Sequence, residues 1–251
     1  MLFSRRWVAL TAVVAVAVAA MVMLGFWQLR RLHSVREDNA RVRARLAMPA
    51  APLSSVLPMR PGVDPSSAVY RRVTVSGRYD RVSEILLRNR SFEGQPGSHF
   101  LTPLRQTDGI AIVVDRGWVP IGLTGTAEEA TRPPVLVPVT VQGVLFPSER
   151  KGVFGPAIPP TGRLTTIPRI DVSRIARQLE YPIEPLYLRL TSQTPRQPGR
   201  LPVPPGLPDL SEGPHLSYAV QWFLFATVAV CVYGALMRKS SRARERVATS
   251  E

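Results

Sequence analysis

The sequence contains few of the residues that most often build reactive or metal-binding sites. Its 251 residues include one cysteine, Cys231, and three histidines. A single cysteine excludes a disulfide within the chain and a cysteine-ligated metal site built from one chain. The HExxH, GxSxG, P-loop and GxGxxG patterns, which are typical of zinc enzymes, hydrolases and nucleotide-binding proteins, are also absent. We therefore do not expect an enzyme.

Lysine is scarce as well, because only Lys151 and Lys239 belong to the 32 basic residues that give a formal net charge of +14. An arginine-rich, lysine-poor chain is typical of GC-rich coding, so the charge is weak evidence for nucleic acid and no nucleic-acid partner is predicted. The 25 prolines argue against a long helical bundle, since proline interrupts helices and central strands alike. A β-rich or loop-rich body is favoured.

Two apolar runs lie near the ends of the chain. Residues 7–27 and 215–237 contain no charged side chain, and each has about the 20 residues needed to cross a bilayer. Arg5 and Arg6 precede the first run as they would in a cleavable signal peptide, which is the alternative interpretation. However, the run continues through "MVMLGFW" and exceeds the about 7 to 15 apolar residues of a signal peptide. We predict two retained transmembrane helices.

Basic residues after the second run predict the orientation. The tail begins "RKSSRARER", and basic residues beside a membrane helix mark its cytoplasmic side. Six arginines follow the first run and favour the opposite orientation, but the rule is weak for a translocated segment of about 190 residues. We expect both termini in the cytoplasm of a bacterium and the central domain outside its plasma membrane.

The interior of the chain has the pattern of β-strands. Residues 70–80 alternate between apolar and polar side chains, and residues 84–90 follow after a short polar turn, so we predict a hairpin of these two strands. Residues 99–120 predict a second hairpin around the turn signal Asp108-Gly109.

Two more strands are predicted in residues 135–147 and 184–192. Residues 171–181 predict a short amphipathic helix that begins at Asp171.

The fold class is thus a membrane protein with two transmembrane helices that flank a barrel- or sandwich-like β-rich domain. The predicted segments are a cytoplasmic N-terminus (1–6), a transmembrane helix (7–27), a juxtamembrane segment and linker (28–69), the β-rich domain (70–193), a proline-rich tether (194–214), a second transmembrane helix (215–237) and a basic cytoplasmic tail (238–251).

The motif "DGIAIVVDRGWVP" ends the second predicted hairpin. Gly117 would permit tight backbone geometry, and Trp118 would plug one end of a barrel. Arg90, in "LLRNR", is expected close to Arg116 on a neighbouring strand. Two arginines that face one place would suit an anionic partner, although a structural role is the competing interpretation.

A second group of polar and aromatic residues lies where the apolar runs meet the central domain. These residues are Trp27, Gln28, His215, Tyr218, Gln221 and Trp222. Tryptophan and tyrosine favour the membrane interface in any case, but the amide of Gln221 costs free energy in lipid unless it has a partner. A neutral imidazole such as that of His215 is the usual protein donor to haem iron. His33 and His99 are interpreted as surface residues rather than second iron ligands.

An ordered set of motifs resembles one known family. The set is "LGFWQLRR", "YRRVTVSGRYD", "LLRNR" with "GQPG", "LTPL" with "DGIAIVVDRGWVP", and "HLSYAVQWF". In this order and over most of the chain, the sequence resembles the Surfeit locus protein 1 family of assembly factors for cytochrome c oxidase. It departs from the family pattern at Ser34-Val35, where Trp-Lys is usual, and at Asp115, where Asn is common.

The resemblance implies a function and a cofactor. Members are two-span membrane proteins that help insert haem a into oxidase subunit I, and the position of the proposed haem ligand matches His215. The expected partners are therefore cytochrome c oxidase subunit I, haem a synthase and the lipid bilayer. Two alternatives remain: a haem-free chaperone scaffold for an oxidase subunit, and a membrane-tethered enzyme or cell-envelope binding module.

Overall fold

The computed structural model describes residues 5–57, 64–122, 137–149, 152, 155–197 and 199–248. The chain divides into two units, one with the residues up to Arg41 and from Asp209 onward, the other running from Val42 to Pro208. Helices form the first unit and a β-sheet forms the second. The remaining residues all belong to predicted segments and lie outside the described ones; they are 1–4, 58–63, 123–136, 150–151, 153–154, 198 and 249–251.

Two long helices stand at the ends of the described chain. Helix α1 spans Arg5–Ala47, and the last described helix, α4, spans His215–Ala248. Both are long and apolar enough to cross a membrane. Their apolar side chains are largely exposed, for example Val13 at 66% and Val16 at 69%. Helix α1 continues far beyond the predicted end of the span at residue 27, because residues 28–47 contain neither glycine nor proline.

The second unit contains one sheet of eight described strands. These are β1 (Ala51–Pro52), β2 (Arg72–Tyr79), β3 (Ile85–Phe92), β4 (Gln95–Arg105), β5 (Ala111–Pro120), β6 (Val139–Phe146), β7 (Thr166–Ile167) and β8 (Ile183–Thr194). Their order is β1-β2-β6-β8-β5-β4-β3-β7. Because β2 also pairs with β4 at its end, the strands β2, β6, β8, β5 and β4 form a closed ring of hydrogen-bonded neighbours. The expectation of a β-rich domain is confirmed.

The predicted hairpin of residues 70–80 with 84–90 is wrong in its pairing. Strand β2 pairs with β6, whereas β3 pairs with β4 and β7. The true hairpin turn is Glu93-Gly94, with φ of 49° and 78° between the paired residues Phe92 and Gln95. A two-residue loop with both φ values positive fits the twist of antiparallel strands. Alternation of side chains identifies a strand and its buried face, but it does not identify the neighbouring strand.

The other sequence expectations agree more closely with the structure. Strands β4 and β5 form the predicted hairpin around Asp108 and Gly109. Short helices are α2 (Leu53–Val56) and α3 (Val172–Ala176), and Pro65–Ala68 forms a 3-10 turn. The carboxylate of Asp171 accepts a hydrogen bond from the backbone N–H of Arg174 at 2.9 Å and so caps α3 as predicted. The helix ends five residues before residue 181, ahead of Pro182.

The apolar core consists of two clusters of buried side chains. One includes Val73 of β2, Val141 of β6 and Leu188 of β8. The other includes Ile85 of β3 and Ile175 of α3, which shows that α3 packs its apolar face on the sheet. Burial of such side chains contributes about 1.5 to 3 kcal/mol each before the entropy cost of folding.

Glu184 is an acidic residue inside this unit. It is only 4% exposed, and its Oε2 atom has no hydrogen-bond partner in the described parts of the chain. Burial, with a smaller contribution from the charge of Asp108, raises the pKa of the Glu184 carboxyl from its ordinary value of 4.5 to about 7.

Stability of the sheet unit should therefore fall as the pH rises from about 4.5 to above 7. In that interval the unfolded chain has released the Glu184 proton and the folded chain has not, so deprotonation favours unfolding. The variant Glu184→Gln cannot ionise, so its Tm relative to the wild type should be several degrees higher at pH 8 than at pH 5. Thermal unfolding at both pH values, with the exposed Glu180→Gln as control, checks this; an equal difference at both pH values contradicts it.

Candidate functional site

The two long helices contact each other within the first unit. The Thr11 hydroxyl lies 2.5 Å from the Tyr233 hydroxyl, and the rings of Phe26 and Phe223 meet edge to face with centroids 5.4 Å apart. These contacts pair the beginning of α1 with a late part of α4, and a later part of α1 with an early part of α4. The two helices are therefore antiparallel. A Cβ atom at Gly25 would lie 2.7 Å from the Phe223 ring, which explains the glycine at this close approach.

His215 and Gln28 meet where α4 begins. The Nδ1 atom of His215 lies 2.8 Å from Oε1 of Gln28. An amide oxygen only accepts hydrogen bonds, so Nδ1 carries the proton and donates it. In its neutral form, an imidazole held in this way presents the lone pair of Nε2, which is the arrangement that metal-ligating histidines adopt when a neighbour fixes the ring.

Contacts with α1 hold the segment just before His215. Arg36 donates to the Glu212 carboxylate at 2.8 Å, and the Asn39 side chain, which is 9% exposed, donates to the backbone carbonyl of Leu210 at 2.9 Å. The carbonyl of Pro214 then accepts the backbone N–H of Tyr218 and begins the helix. The position of the imidazole therefore depends on polar side chains of α1.

The structure brings together only part of the predicted group. Trp222 is half-buried and follows His215 by two helical turns, on the same face of α4. Trp27 and Tyr218 are 52% and 47% exposed. Gln221 is also exposed, and its amide has no hydrogen-bond partner within the described residues. Only His215 and Gln28 contact each other directly through a hydrogen bond.

Replacing Gly25 should separate the helices. In a chain with Cys231→Ser, Thr11→Cys and Tyr233→Cys, a short bismaleimide should cross-link the two introduced thiols in membranes. Adding Gly25→Leu should lower the yield severalfold, because the new side chain overlaps the Phe223 ring. Gly234→Leu is the matched control, since no atom of the described residues lies within 4 Å of a Cβ at that glycine. A yield that is equally low in both variants would contradict the close approach.

Arg116 in the β5 motif is a buried cation. It is 1% exposed; its guanidinium donates to Oε2 of Glu84 at 3.0 Å and to the Gln197 side chain at 2.8 Å. Burial lowers the pKa of Arg116, and the Glu84 carboxylate opposes this effect. Thr102 donates to the same carboxylate at 2.6 Å. No signal in the sequence indicated this network, since Glu84 lies 32 positions away.

Arg90 has a carboxylate partner of its own. Its guanidinium donates to Glu149 at 2.5 Å, so Arg90 and Arg116 hold different partners rather than one shared anion. These separate partners favour the structural interpretation of the two arginines over a joint site for an anion. Each carboxylate already supplies the charge that an external anion would bring.

His99 is not the surface residue that the sequence suggested. Its side chain is 12% exposed, and its Nδ1 atom lies 3.0 Å from Oδ1 of Asp115, a carboxylate that also accepts the backbone N–H of Gly117 at 3.1 Å. Both residues, with Trp118, line a cavity of about 290 Å³. His33, in contrast, is 76% exposed beside Glu37, as expected.

Gly117 and Trp118 fix the proline-rich segment on the sheet. Gly117 has a φ of 119°, and a Cβ atom there would lie 1.9 Å from the carbonyl oxygen of Val203. The backbone of Trp118 exchanges two hydrogen bonds with Val203, and its side chain is 6% exposed. The expectation that Gly117 permits tight geometry is confirmed, and residues 199–208 are more than a tether.

Gly117→Ala should destabilise the sheet unit by about 2 to 4 kcal/mol, because it adds a clash with Val203 to the strain of a positive φ. Gly109→Ala is the matched control: Gly109 has a φ of 85°, but within the part of the chain that the structure describes nothing lies within 4 Å of an added Cβ. That control should lose only about 1 kcal/mol. Chemical unfolding of both variants gives the two values, and equal losses would remove the role assigned to Val203.

The architecture and the paired polar residues define a class of protein, a β-sheet domain flanked by two terminal helices that are compatible with a membrane anchor. The SURF1 family profile matches residues 15–227. An uncharacterized SURF1-like protein of Mycobacterium tuberculosis is 32% identical over 241 residues, 96% of this chain and 86% of its own. A SURF1-like protein of Rickettsia bellii is 28% identical over 231 residues, 90% of each chain. The Surfeit locus protein 1 of Takifugu rubripes is 32% identical over 116 residues, 39% of this chain and 45% of its own.

The chain belongs to the SURF1 family. This family is known in general for cytochrome oxidase assembly factors, and its names point to assembly rather than to catalysis. The family resemblance seen in the sequence motifs is therefore confirmed.

Proposed function

We propose that this protein is a membrane-anchored assembly factor for cytochrome c oxidase that assists the delivery of haem a to subunit I or its insertion there. Haem a is cargo in this proposal, with haem a synthase as the partner that supplies it. The observation that carries the proposal is the hydrogen bond between His215 and Gln28, which leaves Nε2 of the imidazole as a ligand atom. Membership of the SURF1 family supports the oxidase as the target.

Insertion of α1 and α4 in the plasma membrane of a bacterium is part of the proposal. The exposed apolar side chains of both helices would face lipid rather than water. The basic residues that follow residue 237 favour a cytoplasmic C-terminus, and two spans then give a cytoplasmic N-terminus. His215 and Gln28 would then lie near the outer surface of the membrane.

The chemistry of the donors fits transient haem binding. His215 would hold the iron, and the aromatic side chains of Trp27, Tyr218 and Trp222 would cover apolar parts of the macrocycle. The partner of the imidazole is a neutral amide. A carboxylate at that place would raise the basicity of the ligand, so the amide favours a weaker bond to iron. A weaker bond suits a protein that has to release its cargo.

One observation favours a second function. Gln221 is exposed on a helix that is apolar enough to cross a membrane, and it has no hydrogen-bond partner within the described residues. An amide in lipid gains free energy when a neighbouring helix supplies a polar partner, typically about 1 kcal/mol. A haem-free scaffold that binds subunit I through this face of α4 would use that amide.

The test is the absorption spectrum of the detergent-purified protein, co-expressed with haem a synthesis. The wild type should carry haem a, His215→Ala should lose at least about nine tenths of it, and Gln221→Leu should keep it. Gln28→Glu should retain haem a through more washes than the wild type, and Gln28→Leu through fewer, because the group that faces Nδ1 sets the basicity of the ligand.

Two results would change the assignment. Equal haem in the wild type and in His215→Ala would remove His215 as the ligand. No haem in any variant, together with capture of subunit I that Gln221→Leu weakens, would favour the scaffold function instead.

A further inference from the structure

We propose that a second site, in the β-sheet unit, binds a phosphate-type oxyanion. The bound group would be the headgroup of an anionic phospholipid or a soluble phosphorylated molecule, which share the same recognition chemistry. The site is an open cavity of about 900 Å³ between the segment around Asp80 and the end of α3. Four of the residues that line it are arginines: Arg105, Arg163, Arg174 and Arg177. This site is separate from His215 and does not depend on the proposed haem function.

Contacts with the wall of the cavity hold two of these arginines, Arg105 and Arg163, in place. The guanidinium carbon of Arg105 lies 4.6 Å from the centre of the Tyr181 ring, a cation–π contact that fixes its plane. Arg163 donates to the carbonyl oxygen of Val82. Guanidinium groups that are already ordered lose less entropy when they bind an anion.

Arg174 gives the strongest indication of a ligand. It is only 3% exposed and lines the cavity. Its guanidinium donates to the carbonyl oxygens of Pro159 and Gly162, both at 2.6 Å, but within the described residues no carboxylate lies in ion-pair distance of it. A buried cation without a counter-ion is costly, whereas one that faces an anion is stabilised. Arg116 on β5, the other arginine that is buried among the described residues, does have such a counter-ion in Glu84.

The acidic residues of the cavity do not balance the four arginines. Only Asp80 and Glu180 line it, which leaves two positive charges in excess among the described lining residues. Asp80 is already engaged, because its carboxylate accepts the Tyr181 hydroxyl at 2.5 Å and the backbone N–H of Val82 at 3.1 Å. Burial works against the charged form of Asp80, yet these hydrogen bonds lower its pKa on balance.

The charge and geometry of the donors favour a phosphate-type group. Planar guanidinium groups match the oxygen atoms of phosphate with two parallel hydrogen bonds. A phosphate monoester carries about 1.5 to 2 negative charges near neutral pH, close to the excess of two, and the single charge of a phosphodiester headgroup would neutralise part of that excess. The cavity is also large enough for more than a bare ion, since ligand sites typically measure about 300 to 1,000 Å³.

The test uses the full-length protein and removes two exposed arginines of the cavity, so that folding is preserved. The double variant carries Arg105→Gln and Arg177→Gln. The matched control carries Arg72→Gln and Arg88→Gln, which remove the same charge from exposed positions outside the cavity. Circular dichroism confirms that both variants are folded.

Two arms distinguish the sources of the anion. In the first, calorimetry measures the affinity for inorganic phosphate of protein in phosphatidylcholine nanodiscs. In the second, native mass spectrometry counts phosphatidylglycerol molecules retained by protein extracted from nanodiscs that contain this lipid. Relative to the control, the cavity variant should bind inorganic phosphate at least about tenfold more weakly, or it should retain one phosphatidylglycerol molecule fewer.

Loss in the first arm supports a soluble phosphorylated ligand, and loss in the second arm alone supports a lipid headgroup. Phosphate affinity and lipid retention that are the same in the cavity variant and the control would overturn the proposal. Haem a binding should be unchanged in both variants, so failure of this site and failure of the His215 assignment are distinguishable.

Discussion

The buried charge of Arg116 is the interaction on which most of the sheet unit depends. A guanidinium that is 1% exposed has to be neutralised and hydrogen-bonded, because its desolvation costs several kcal/mol. Its partners come from distant parts of the chain: Glu84 just before β3, and Gln197 just after β8. The same carboxylate also accepts the hydroxyl of Thr102 on β4. One cation on β5 thus fixes the relative positions of three other segments.

The two long helices, which the proposed function places in lipid, also depend on a few specific contacts. Apolar helices gain little from contact with each other in lipid, so close packing at small residues and a few polar contacts decide how they pair. Here the close packing is at Gly25, and the polar contacts are those of Thr11 with Tyr233 and of Gln28 with His215. These contacts set the register of α1 against α4, and the register places the imidazole beside the amide. The position of the proposed iron ligand therefore depends on how the two helices pack.

The sequence predicted the elements better than their neighbours. Periodicity located the strands around Val73 and Val141 and the capped helix at Asp171, because each of these signals is local. It did not predict that β2 pairs with β6, since that pairing joins segments about 70 residues apart. It also missed the two-residue turn at Glu93-Gly94, where glycine at the second position was the available signal.

The residues of the candidate sites also divide into those that the sequence indicated and those that it did not. His215 and Gln28 stood out in the sequence because polar residues are rare beside apolar runs, and their contact then required the antiparallel pairing of the helices. The partners Glu149 of Arg90 and Asp115 of His99 carried no signal, because a single acidic residue among many arginines is indistinguishable from a solvated surface charge. Only the folded sheet brings them together.

The contact between Gln28 and His215 also has a topological consequence. It joins residues 187 positions apart and therefore closes a loop that contains the entire β-sheet unit. Closure of a flexible loop of this length costs about 5 kcal/mol of chain entropy. Once the helices have paired, that entropy is already lost, and the unfolded β-sheet unit has fewer conformations than it would have with separated ends. The helix pair thus acts on the sheet unit as a covalent cross-link would, by restricting its unfolded state rather than by adding contacts to its folded one.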